Sequence, residues 1–313
     1  MKTLLICGAS GFIGKNLLIN FSKKKKYNII ATYFKSKIDK IPNVKWIKVD
    51  LRDEQLVSKI TKNVDIVIQA AATTSGSKDI VNQPHIHVTD NALMNSIILR
   101  ACHKNKIDHF IFFSCTTMYP STKKNLKEHQ YKESKILKNY FGIAHTKLYI
   151  EKMCEFFANL KITKHTVIRH SNIYGPFDKF DLNKSHFFGA TITKVMTSSN
   201  EINVWGEGME KRDLLYISDL VRFVELSLLK QKEFFKLYNC SYEKAYSVLD
   251  IVKKIILASN KNLKIKHDLT KPNLNINILV DSSKAKKELG WYPKVNIDKG
   301  IKATIEWWKA NSR

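Results

Sequence analysis

Residues 3–14 read Thr3-Leu4-Leu5-Ile6-Cys7-Gly8-Ala9-Ser10-Gly11-Phe12-Ile13-Gly14. They make a short apolar run, a turn with glycine at its first, fourth and seventh positions, and the start of an amphipathic stretch that continues to Phe21. An apolar strand running straight into a glycine turn and a helix is the local pattern of a dinucleotide-binding unit. The glycines allow the turn to be tight and the backbone to approach a ligand closely. The first helical turn then offers unpaired N–H groups and partial positive charge to a pyrophosphate. Gly8, Ser10, Gly11, Phe12, Ile13 and Gly14 are therefore candidate cofactor contacts.

Beyond this unit the same alternation continues. Apolar runs at 28–33, 45–49, 64–70, 110–113 and 166–168 predict strands, and helical periodicity covers 12–21, 91–104 and 142–159. Strands alternating with helices predict a doubly wound parallel α/β sheet of the Rossmann kind, with about seven strands. After Gly175-Pro176 the rhythm changes to polar loops and short elements (202–205, 214–217), ending in a helix over 303–309 that bears Trp307 and Trp308. We expect a dinucleotide-binding domain over 1–175 and a smaller substrate-binding lobe over 176–313, interwoven so that some segments return to the core. No internal repeat or low-complexity linker separates them.

Composition narrows the function classes. The chain has 313 residues, 44% hydrophobic and 26% charged, which excludes a disordered or collagen-like protein. No apolar run approaches the roughly 18 residues of a membrane span, and the N-terminal run is too short for a signal peptide. The five cysteines are scattered without a C-x-x-C pair, which argues against a disulfide framework or a metal site and for a reducing, cytoplasmic setting. The formal charge is +25, but the lysines are spread along the chain and only Lys23 to Lys26 form a tight run. We therefore expect neither a nucleic-acid nor a membrane partner; the positive field suits anionic small molecules such as nucleotides.

Motifs spread from residue 8 to residue 293 carry a resemblance to a known family. They are G-A-S-G-F-I-G at 8–14, D-L-R-D at 50–53, A-A-A at 70–72, S-N-I-Y-G-P at 171–176, G-E-G-M-E-K-R-D at 206–213, Y-I-S-D at 216–219 and L-G-W-Y-P at 289–293. The chain resembles an extended short-chain dehydrogenase/reductase. Within that superfamily it is most similar to sugar-nucleotide enzymes of the GDP-fucose synthase type, on Ala70 to Gly76, the stretch from Asp178 to His186 and Val204-Trp205-Gly206. The resemblance implies a modified Rossmann core, an NAD or NADP cofactor, a GDP-linked sugar substrate and a homo-oligomer.

Residue by residue, it implies that Asp50 holds the adenine and that Leu51, Ala70, Ala71, Ala72 and His170 lie on the cofactor side. At the end of the second strand Ala31-Thr32-Tyr33-Phe34-Lys35-Ser36 has no acid for the ribose hydroxyls, while Lys35 would suit a 2′-phosphate, so NAD and NADP both stay open. The family's catalytic helix carries Tyr-x-x-x-Lys; here Lys147 is present and Ile143 occupies the tyrosine position. Tyr140 and His145 lie at the wrong spacing to replace it. The family's Ser/Thr falls on Cys115, with Thr116 beside it. The resemblance assigns Thr74, Ser75, Asn172, Lys194, Trp205 and Arg212 to the substrate, and makes His186 an acid. The expected reaction is hydride transfer at the sugar C4 of a GDP-mannose-type sugar or GDP-heptose, in surface polysaccharide synthesis. An epimerase/reductase and a retired binding module are the alternatives.

Overall fold

The first strand, β1 (Lys2–Cys7), lies at the centre of a seven-stranded sheet, and its side chains divide between two cores. Leu4 and Ile6 join one apolar cluster while Leu5 and Cys7 join another, as alternation across a strand covered on both faces requires. The structure is a computed structural model that describes residues 1–73, 84–182, 185–270 and 276–312. After β1 come α1 (Phe12–Lys23), β2 (Tyr27–Tyr33), β3 (Val44–Lys48), α2 (Glu54–Ile60), β4 (Ile66–Gln69), α3 (Pro84–Lys104), β5 (His109–Ser114), α4 (Phe141–Asn159) and β6 (Lys164–His170). A seventh strand, β10 (Phe235–Cys240), returns from the second half of the chain and pairs in parallel with β6. The order is β3-β2-β1-β4-β5-β6-β10, all parallel.

The order of successive strands reverses between β1 and β4, which opens a crevice at the C-terminal edge. One face of the sheet is covered by α1 and by α6 (Ile217–Lys230), through Leu17, Phe21, Leu220 and Phe223, and by the fully buried Trp291. The other face is covered by α2, α3 and α4, through Val57, Ile98 and Ile150.

The remaining elements build a lobe beside the crevice. They are β7 (Asn172–Tyr174), α5 (Phe187–Thr197), β8 (Glu201–Trp205), β9 (Lys211–Tyr216), β11 (Ala245–Ser247), α7 (Val248–Ser259), β12 (Lys264–Asp268), α8 (Ser283–Leu289) and α9 (Ile297–Asn311). Its own core gathers Phe188, Ile192, Val204, Ile251, Ile301 and their neighbours, and α8 packs back on the main sheet. The helix starts are written locally: Ser247 and Asp250 form a capping box for α7, and the Asn296 side chain caps α9.

One buried ion pair ties the C-terminal edge of the sheet together. Arg169 on β6 reaches Glu151 on α4 through Nε at 2.9 Å and a terminal nitrogen at 2.5 Å, with both side chains almost wholly buried. Ser114, the last residue of β5, donates to the same carboxylate at 2.5 Å. Arg169 also donates to the Tyr119 hydroxyl at 2.9 Å, and Tyr119 to Asn239 on β10 at 2.7 Å. Removing one partner of such a pair leaves the other charge buried and uncompensated. Glu151→Ala should therefore lower stability by about 3–5 kcal/mol, read from urea unfolding. A loss under about 1 kcal/mol would mean that Arg169 finds another partner.

Candidate active site

The glycine turn sits at the crevice and is shaped by what a side chain there would strike. Gly8 has φ +70°, and a Cβ on it would come within 2.6 Å of the Ala71 backbone; one on Gly14 would lie 2.2 Å from the Gly8 carbonyl oxygen. The turn closes with Gly11 N–H donating to the Gly8 oxygen at 3.0 Å, and Thr32 on β2 accepts from Gly8 through its hydroxyl, also at 3.0 Å. Gly11 is the N-cap of α1 and supplies no side-chain cap, and the first turn, which includes Phe12 and Ile13, has no acidic residue. The α1 N–H groups are thus left to an external anion, and the cradle fits a pyrophosphate.

Asp50 follows β3. Its carboxylate accepts from Arg52 at 3.0 Å (Nε) and 2.8 Å (terminal nitrogen), and Arg52 bridges on to Asp90 of α3 at 3.1 Å. The Arg52 guanidinium beside Asp50 holds that carboxyl below its usual range. Leu51 is buried beneath. Lys35 is exposed, with Nζ 5.2 Å from the centre of the Phe34 ring. The stretch Ala70-Ala71-Ala72 leaves the end of β4, where Gln69 accepts from Ala71 N–H at 3.3 Å and donates to Asn95 at 3.2 Å. Thr73 is clasped by Asn91, which accepts from its N–H at 3.1 Å and donates to its carbonyl at 3.0 Å. Thr74 and Ser75 lie outside the described residues.

Cys115 and Thr116 follow the C-terminal end of β5, and Ile143 and Lys147 lie in the first turns of α4. Lys147 is half-buried; its Nζ donates to the Phe113 carbonyl at 2.8 Å and sits 4.6 Å from the centre of the Phe112 ring. Burial lowers its pKa, against the opposing pull of Cys115 and Glu151. Cys115 Sγ lies 2.9 Å from the Thr117 hydroxyl, and Thr116, half-buried, accepts from Tyr119 N–H through its carbonyl. His170 donates from Nδ1 to the Ser171 carbonyl at 2.8 Å, and burial brings its pKa down to about 4, so it stays neutral near pH 7. Ile143 lies one helical turn before Lys147 in the same unbroken α4 and lines a cavity of about 390 Å³. Tyr140 sits before that helix as its N-cap, and His145 packs on Phe141 with ring centres 4.4 Å apart.

In the lobe, Asn172 donates to the Asp213 carbonyl at 3.1 Å, joining β7 to β9. Asp213 itself is buried and accepts from Tyr242 and Glu243 N–H groups; burial pushes its pKa up to about 7. His186 precedes α5; packing around its ring and the nearby Lys179 lower its pKa. Lys194 in the last turn of α5 stands 5.8 Å from the centre of the Trp205 ring, which is 56% exposed, a flat surface beside a cation. Arg212 on β9 is half-buried and pairs with Glu210 at 3.1 Å. Arg52, Asp90, Asn91, Asn95 and Thr117 were not singled out from sequence. Arg52 stands inside the D-L-R-D motif, and the four-residue spacing of Asn91 and Asn95 places them on one helix face.

These features define a dinucleotide-binding α/β protein with a second lobe at its switch point. The sequence pattern described as the NAD dependent epimerase/dehydratase family matches residues 4–241. A GDP-L-colitose synthase of Yersinia pseudotuberculosis is 26% identical over 313 residues, covering 97% of each chain. A GDP-L-fucose synthase of Azorhizobium caulinodans is 26% identical over 318 residues, covering 98% of this chain and 96% of that one. Among solved structures, a UDP-glucose 4-epimerase of Thermotoga maritima superposes with a TM-score of 0.83 at 23% identity, covering 99% of this chain and 100% of that one. MoeE5 with UDP-glucuronic acid and NAD gives 0.86 at 20% identity, covering 98% and 99%. The chain belongs to the NAD dependent epimerase/dehydratase family.

The glycine cradle makes a direct test. Gly14→Ala would drive a methyl into the Gly8 carbonyl, so NAD should bind at least tenfold more weakly by calorimetric titration, a loss of about 1.4 kcal/mol. Unchanged affinity would remove this turn from the cofactor site.

Proposed function

We propose that this chain is an NAD-dependent oxidoreductase of a nucleotide-activated sugar, acting at C4 of a GDP-linked mannose-type sugar or heptose to give a 4-keto sugar nucleotide. The observation that carries the reading is Lys147 of α4 held against the end of β5, one turn from Ile143. Bound NAD would supply the hydride acceptor. Gly8 to Gly14 would hold its pyrophosphate, Asp50 its adenosine end, and Lys147 its nicotinamide ribose. Thr116, or Cys115 beside it, would hold the C4 hydroxyl by a hydrogen bond. Trp205, Lys194 and Arg212 would hold the nucleotide diphosphate, since a planar guanidinium pairs well with phosphate oxygens. Asn172 and His186 would face the sugar.

The relatives named for GDP-L-colitose, GDP-L-fucose and GDP-mannose support a GDP-linked substrate. The second reading is the epimerase/reductase reaction that such names suggest. Isoleucine at 143 disfavours it, because isoleucine cannot move protons and epimerisation needs acid–base help at more than one carbon. We place the protein in the cytoplasm, in a pathway feeding surface polysaccharide. Leu93, Phe141, Tyr149 and Phe156, exposed on the neighbouring helices α3 and α4, support a homo-oligomer. The lobes would divide near residue 175.

Incubating the protein with NAD and GDP-mannose or a GDP-heptose, and following cofactor absorbance together with the mass of the sugar nucleotide, tests the reaction. A product lighter by one hydrogen molecule, with matching reduction of NAD, supports C4 oxidation; conversion of a GDP-linked 4-keto sugar and NADPH into a product heavier by one hydrogen molecule supports the second reading. Arg212→Ala should weaken GDP by about 2–4 kcal/mol and leave NAD unaffected, measured by separate titrations. Unchanged GDP affinity would take Arg212 out of the site.

A further inference from the structure

Two buried histidines stand away from the crevice, at the opposite end of the sheet, where β6 begins. His165 is 1% exposed, and neither of its ring nitrogens has a hydrogen-bond partner among the described residues. Its ring packs on Phe110, its cross-strand neighbour on β5, with ring centres 5.5 Å apart, on the face that α3 and α4 cover. The titratable groups facing it are His109 of β5 and His103 of α3, and no acidic side chain is among them. Phe157 of α4 and Phe235 of β10 pack in the same apolar cluster.

His109, the first residue of β5, lies on the other face with Ile111 and Thr166. The Gln231 amide donates to the His165 and Glu233 carbonyls at 3.0 and 2.9 Å, so its oxygen is left to accept from Thr166 at 2.5 Å. The Thr166 hydroxyl has then given its hydrogen to Gln231 and accepts from His109 Nε2 at 2.7 Å. Lys164, Asp108 and Lys2 are the charged groups facing this ring. Both rings thus sit where a neutral imidazole fits and a charged one does not. Burial, then His109 and His103, bring the His165 pKa down to about 3; burial, then Lys164, bring that of His109 down to about 4.

A charged ring in an apolar wall without an acceptor is costly unless water reaches it. The nearest way out is along β10. That strand is at the edge of the sheet and pairs only with β6. It begins against His165, whose N–H donates to the Phe234 carbonyl at 2.7 Å, and the turn that leads into it, Lys232-Glu233-Phe234, is exposed. We propose that His165 and His109 form an acid-sensitive latch on β10, which stays closed while both rings are neutral and opens when they take up protons. The closed state holds both rings below the usual imidazole value of about 6.5, so its hold is complete above that pH and weakens as pH falls toward 4. Opening frees Asn239 on β10, and with it the tie to Tyr119 and Arg169. The latch depends on neither the sugar nor the cofactor.

The test follows amide hydrogen exchange of the full chain by mass spectrometry at pH 7 and pH 5. Rates are corrected for the intrinsic pH dependence of exchange and referred to β1, which reports opening of the whole fold. One histidine released on opening should raise the opening of β10 about 25-fold over this range, and two about 600-fold. Asp178 and Asp213, which burial raises to about 7, titrate here with the opposite sign: a falling pH tightens the fold through them. His165→Phe fills the same wall without titrating and should reduce the rise about 25-fold; adding His109→Gln, which keeps a donor for Thr166, should abolish it. His170, at the other end of β6, is intact in both variants, so a rise that survives in the double variant belongs elsewhere and overturns the latch. A rise under about threefold in wild type overturns it as well. Should the double variant fail to fold, ring-proton NMR of wild type decides: neither His165 nor His109 should titrate above about pH 5, and a ring that titrates near 6.5 is no part of a latch.

Discussion

The Glu151–Arg169 pair is the constraint on which the catalytic edge of this protein depends. Three elements converge on one carboxylate: Ser114 from the end of β5, Arg169 from β6, and α4, which carries Glu151 itself. Cys115 and Thr116 begin immediately after Ser114, Lys147 lies one turn before Glu151, and His170 follows Arg169. None of these groups can shift far without moving a buried charge away from its partner, which is costly in a low-dielectric interior. Through Tyr119 and Asn239 the network also reaches β10, the strand that returns from the second half of the chain. A polar device thus fixes the register between the nucleotide-binding half and the segments that carry the lobe.

The parallel core was legible because both faces of the sheet are covered, so each strand is a nearly unbroken apolar run bounded by turns. Ile66 to Gln69 and His109 to Ser114 are fully buried in this way. The start of α3 was less legible. The helix begins at Pro84, seven residues before the periodicity suggested, because Pro84-His85-Ile86-His87 offers no apolar stripe even though proline suits a first helical turn. On α4 the apolar spacing was real but overstated the core: Phe156 is 60% exposed while Ile150 and Cys154 are buried. The return of β10 to the main sheet had no local signature, since strand order is a long-range property that periodicity does not encode.

At the site, the glycine turn could be read directly, because its requirement is steric and sits in adjacent residues. Lys194 and Trp205 do meet, although they come from α5 and β8. The bridge from Asp50 through Arg52 to Asp90 joins residues about forty positions apart in sequence, and no spacing rule anticipates it. The clasp of Asn91 on Thr73 is hidden for the same reason. Each of these contacts secures the segment just after a parallel strand, where the fold leaves backbone without a ladder partner and side chains must supply the bonds.

A Tyr-x-x-x-Lys helix has two duties, and an isoleucine at the first position would be compatible with only one of them. There the ammonium both holds the nicotinamide ribose and favours the ionised phenol. With Ile143 the second duty disappears, and Lys147 is anchored by the Phe113 carbonyl and the Phe112 ring instead. Groups that act together on one substrate must keep register with one another, since misplacement by about 1 Å can cost 10²-fold in rate. The bonds around the segment after β4 serve such a register. Gly8 packs against Ala71, Ala71 is tied to Gln69, and Thr73, two residues on, is held by Asn91 and His87. One short segment after β4 therefore touches both the glycine turn and the first turns of α3. The glycine turn and the start of α3 are thereby joined through only a few residues of backbone.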